Sequence, residues 1–149
     1  MLDSREAQAR PVFDAMATYS WTLGCTGCSS NGSVSADGQR LALLLTDPKA
    51  RTSGIYIYDL PSGVLTRLTD WGMDPCWSPD GRRIAYLKDS ALWVADVSTG
   101  NSWKVYTPEE ETLHYGACVQ APTWSPDGEA LAFSYLPDGP EGPAQIFRV

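Results

Sequence analysis

The stretch Cys76-Trp77-Ser78-Pro79-Asp80-Gly81-Arg82-Arg83-Ile84-Ala85-Tyr86 decides how the rest of the chain is read. At its centre, Ser-Pro-Asp-Gly carries three turn signals in succession. Pro79 presets φ at the first turn position, Asp80 can bond nearby backbone amides, and Gly81 takes the positive φ that a side chain would penalise. Two strands therefore meet here as a hairpin. Beyond the turn, Ile84-Ala85-Tyr86-Leu87 is an apolar run dense enough for a strand buried on both faces.

The same grammar occurs three times. Ser33-Val34-Ser35-Ala36-Asp37-Gly38 precedes this copy and Thr123-Trp124-Ser125-Pro126-Asp127-Gly128 follows it. The turn serines Ser35, Ser78 and Ser125 stand 43 and 47 residues apart, the length of one four-stranded propeller blade. Each copy continues into a strand rich in β-branched and aromatic residues: Ile55 to Leu60, Leu92 to Val97, and Gln145 to Val149. In the first two copies Pro61-Ser62-Gly63 and Ser98-Thr99-Gly100 then turn the chain into fourth strands, Leu65 to Thr69 and Trp103 to Tyr106. The third copy stops after its third strand.

The expectation is an all-β chain of about three blades of four antiparallel strands, with one outer strand missing. It divides into an N-terminal extension (1–31), a first blade (32–70), a second (71–107), and an insertion with an incomplete third blade (108–149). Ser4 to Ala9 is polar and Ala-rich enough for a short helix. Val12 to Met16 reads either as part of that helix or as a strand able to complete the last blade.

Bulk composition agrees. The length of 149 residues suits one domain, and 43% apolar with 19% charged residues, 13 Gly and 11 Pro suit a folded, turn-rich β protein. A net charge of −7 with no run of basic residues argues against nucleic acid and against an anionic membrane surface. No stretch approaches the roughly 20 apolar residues of a membrane-spanning helix, and the start Met-Leu-Asp-Ser-Arg-Glu lacks the features of an export signal.

Trp77 to Tyr86 and Trp124 to Gly128 resemble the Pro-Asp repeat of TolB-type β-propellers, over roughly residues 30–149. The resemblance implies blades around a central channel, usually six of them. It also implies kinship with the non-catalytic propellers of prolyl oligopeptidase and tricorn-type proteases, a role in binding or gating without chemistry, and a lean toward a periplasmic or extracytoplasmic location. The first copy departs from the pattern, with Ala36 for Pro and Val34 for Trp, as a degenerate terminal blade would. Three blades leave an apolar face uncovered at each end. Two chains completing a six-bladed ring, the remainder of a longer open reading frame, or docking on another propeller segment would each cover them, and strand exchange would complete the open third blade.

The recurring Asp and Ser are read as turn residues without chemistry, and no cofactor is expected. Cys25-Thr26-Gly27-Cys28 has the two-residue gap of zinc knuckles and redox motifs. Its further ligands would have to come from Cys76, Cys118 and His114, none at a paired short spacing, so structural thiols, a disulfide and a metal all stay open. No Gly-x-Ser-x-Gly elbow accompanies His114. Glu109 to Glu111 is read as solvated, and Asn31-Gly32-Ser33 as a chance glycosylation match. Trp71 with Met73 and Asp74, and His114 with Tyr115, fall in connections between repeats, where rigid aromatics can anchor a protein partner. The expected function is a non-enzymatic propeller segment that binds protein or itself. The alternatives are the accessory propeller of a prolyl-oligopeptidase-like hydrolase and a metal- or carbohydrate-binding propeller.

Overall fold

The computed structural model describes residues 32–47, 52–108, 118–136 and 145–149, and every regular element among them is a strand. β1 (Gly32–Val34), β2 (Arg40–Asp47), β3 (Thr52–Asp59) and β4 (Val64–Arg67) form the first antiparallel sheet in that order. β5 (Met73–Trp77), β6 (Arg83–Lys88), β7 (Ala91–Asp96) and β8 (Ser102–Tyr106) form the second. In the third, β10 (Leu131–Leu136) lies between β9 (Cys118–Trp124) and β11 (Gln145–Arg148), giving three strands among the described residues. The blade architecture predicted from the repeat is the architecture observed. The helix-or-strand alternative for residues 4–16 lies outside the described residues.

The three turns are superimposable in their bonding. Gly81 N–H donates to the Ser78 carbonyl and Ser78 N–H to the Arg83 carbonyl, both at 2.9 Å, and the same pair recurs at Ser35 and Ser125. In each, the serine hydroxyl donates to the aspartate two residues on at 2.5–2.6 Å and accepts the amide five residues on at 2.9 Å. The glycines sit at φ 71, 66 and 72, the left-handed region that only glycine enters cheaply. Ala36 in place of proline leaves this network intact, so Ser and Asp hold the turn and Pro only presets it. β4 ends two residues before the predicted Thr69, because Leu68 and Thr69 both turn their amides back onto the Ile55 carbonyl, at 2.8 and 3.2 Å.

Strand alternation makes each sheet two-faced. Ile84 and Tyr86 point back to the first sheet and pack with Ala42, Ile55 and Ile57, while Ala85, Leu87 and Val94 point forward to Leu131, Phe133 and Tyr135. Each large side chain buried here contributes about 1.5–3 kcal/mol. Tyr106 meets Phe133 across the second junction at a tilt, with ring centroids 4.7 Å apart, and Phe133 stacks on its cross-strand neighbour Phe147 at 5.6 Å. The inner strands β5 and β9 are irregular at equivalent places: Asp74 (φ 51) and Ala121 (φ 49) each precede a proline, which cannot donate to the ladder.

Candidate functional site

The junctions between sheets are held by a repeated side-chain clamp. Arg40 leaves the end of the first turn, donates from Nη2 to the Gly81 carbonyl at 2.9 Å, and lays its guanidinium 4.5 Å from the centre of the Trp77 ring. One repeat later, Arg83 donates to the Gly128 carbonyl at 2.9 Å and lies 4.7 Å from the Trp124 ring. A planar, weakly hydrated guanidinium suits both tasks at once. At the second junction Trp124 Nε1 also donates to the Cys76 carbonyl at 3.1 Å, whereas the Trp77 indole N–H is buried without an acceptor among the described residues. The sequence reading missed the arginines, although the signal was present: Arg at the fifth position after the turn serine recurs with Trp just before the next one.

Two clefts open at these junctions. The inner one, about 250 Å³, is lined by Ser33, Asp74, Cys76 and Thr123 from the innermost strands of all three sheets. The rim cleft, about 300 Å³, lies between the first two sheets and is lined by Asp70, Trp71, Tyr86, Lys88, Trp93 and Asn101. The Lys88 and Lys104 ammonium groups stand 5.5 and 5.4 Å from the Trp93 ring. This places cations at the rim of an acidic chain.

The predicted site residues are not one group. Trp71 is 43% exposed at the rim cleft. Met73 and Asp74, expected in a connecting loop, lie in β5. Met73 packs against the core between the second and third sheets, and Asp74 is buried at the inner cleft. Gly72 causes the split. It sits at φ 153, and a Cβ there would lie 2.5 Å from the Tyr86 ring, so the chain can turn tightly enough to send Trp71 out and Met73 in. Trp77 is buried, while Trp93 and Trp124 are half-buried beneath cations. His114 and Tyr115 lie outside the described residues.

Cys76 is a free thiol at the inner cleft, and burial pushes its pKa up, away from thiolate chemistry. Cys118 opens β9. Cys25 and Cys28 lie outside the described residues, and among the described ones no three His, Cys, Asp or Glu side chains gather as a metal group. Five of the aspartates are engaged in turns. The Ser35, Ser78 and Ser125 hydroxyls, followed by backbone amides, hold Asp37, Asp80 and Asp127 below the usual aspartate range. Ser62 does the same for Asp59, and Ser98 with Thr99 brings Asp96 down to about 2.

Sheets of this order, each with a Ser-Pro-Asp-Gly or Ser-Ala-Asp-Gly turn between its first two strands and packed face to face on the next, define a TolB-like β-propeller segment. A family model described as the dipeptidyl peptidase IV (DPP IV) N-terminal region matches residues 35–138, and the chain belongs to that family. The Tol-Pal system protein TolB of Alcanivorax borkumensis is 35% identical over 72 residues, 45% of this chain and 15% of that protein. In three dimensions the chain is similar to TolB from Acinetobacter baumannii (TM-score 0.54, 21% identity, 80% of this chain and 32% of that one). It is also similar to dipeptidyl peptidase 4 from Porphyromonas gingivalis (TM-score 0.53, 19% identity, 74% and 18%). The chain thus spans between about a seventh and a third of the length of these relatives.

Proposed function

We propose that this chain is a non-catalytic propeller segment whose work is association with protein, through blade edges and the connections between repeats. The observation that carries this reading is β11. No further strand pairs with it among the described residues, and Ile146 and Val149 are 76% and 45% exposed along it. In the other two sheets a fourth strand takes that place. An added strand from another chain would satisfy the free backbone groups and rest on the exposed isoleucine. Trp71, and from the sequence reading His114 and Tyr115, are the further contact residues. The recurring Ser and Asp are occupied in turns, which supports a role without chemistry of their own.

Two measurements test this. Hydrolysis of dipeptidyl or aminoacyl p-nitroanilides that co-purifies with the chain would overturn the non-catalytic part. Hydrogen exchange at Ile146 and Arg148, whose amides face away from β10, tests the edge: exchange is expected to slow when the chain associates, and unchanged exchange in a demonstrated complex removes β11 as the contact.

A second reading is the propeller portion of a peptidase whose catalytic domain lies elsewhere in the same polypeptide. The family match favours it. A reading frame that continues past Val149 into an α/β-hydrolase with a Gly-x-Ser-x-Gly elbow is its expected sign.

A further inference from the structure

The clamp that joins the sheets is absent at the two outward faces in a complementary way. Its donor position, five residues after the turn serine, holds Arg40, Arg83 and then Ala130. Its acceptor position, just before that serine, holds Val34 and then Trp77 and Trp124. Every clamp reaches forward, so the chain has one from the first sheet to the second and one from the second to the third. Both halves are missing only where a third sheet would meet a first. Loss of one half alone would set a guanidinium against an aliphatic side chain, or leave an indole face without its cation. Loss of both leaves a small apolar pair, Ala130 and Val34. Val34 is 58% exposed, and no atom of the described residues lies within 4 Å of a Cβ built on Gly38, where at Gly81 the Arg40 guanidinium comes within 2.7 Å.

The forward face of the third sheet also differs in character. By register, Ser134 and Arg148 occupy the places that buried Leu87 and Val94 hold in the second sheet, and Ile146 beside them is largely exposed. Such a mixed face stays soluble alone and still offers an apolar centre to a partner.

We infer that the forward face of the third sheet docks on the backward face of the first sheet of a second copy of this chain, the two chains meeting head to tail through two such contacts. This rests on the association reading above and names its partner and faces.

Light scattering and sedimentation from about 1 to 100 µM test it, since assembly follows mass action. The expected species is a dimer. Val34→Glu and Ile146→Glu, both at exposed positions and checked for folding by circular dichroism, should each weaken it at least about tenfold. The double variant Ala130→Arg with Val34→Trp supplies both clamp halves across the contact and should tighten it at least about tenfold. A chain that stays monomeric at about 100 µM overturns self-docking, while the β11 exchange measurement still judges association with other proteins. A dimer indifferent to Val34→Glu and Ile146→Glu overturns the assigned faces and leaves association standing.

Discussion

At the scale of single residues, the turn glycines and the clamp arginines carry separable energies. Gly38 and Gly81 occupy the same turn position at φ 71 and 66, but only Gly81 receives an arginine. Gly38→Ala should therefore cost only the left-handed backbone penalty of about 1 kcal/mol. Gly81→Ala should cost more, because its methyl group also displaces the Arg40 guanidinium. Urea unfolding of the two variants measures the difference, and equal losses would mean that the clamp contributes nothing. Arg83→Ala removes a charge-assisted hydrogen bond and a cation–π contact together and should destabilise by about 2 kcal/mol. Arg83→Lys should recover only part, since an ammonium cannot both stack flat on Trp124 and reach the Gly128 carbonyl.

At the scale of the element, the turns make the fold sensitive to acid. Five aspartates, Asp37, Asp59, Asp80, Asp96 and Asp127, titrate below the ordinary aspartate value because turn hydroxyls and amides bond their charged forms. A folded pKa below the unfolded one means that the contribution is present above the unfolded value and is lost as pH falls through the folded one. Stability should accordingly be flat above about pH 5 and fall between about pH 4 and pH 2, where these groups protonate. Denaturant midpoints across that range check it, and Asp96→Asn should shallow the decline because Asp96 has the lowest pKa of the set, about 2.

At the scale of the whole molecule, stability passes from sheet to sheet. Each sheet contacts its sequence neighbours, and the clamps sit at those junctions. Weakening one junction should loosen what lies beyond it before it loosens what lies behind. Arg83→Ala is expected to raise deuterium uptake in β9, β10 and β11 more than in β1 to β4. Uniform uptake across all three sheets would show one indivisible unit instead. The predicted dimer belongs to the same scale, because it reuses the sheet-to-sheet junction between two chains.

The blade repeat, its hairpin turns and nearly every strand were legible in the amino-acid sequence. Turn chemistry and strand alternation are local: Ser78, Asp80 and Gly81 need only one another to form their bonds, and Ile84 to Leu87 need only a pleat to show two apolar faces. The grouping of Trp71 with Met73 and Asp74 was not legible, because it turns on Gly72 packing beneath Tyr86, fourteen residues later in the chain. The clamps were half legible, as recurring letters without a geometry. That Arg40 serves Trp77 and Gly81 in the following sheet emerged with the packed fold, since a guanidinium finds its ring through the stacking of whole sheets, and that stacking depends on apolar faces drawn from residues some forty positions apart.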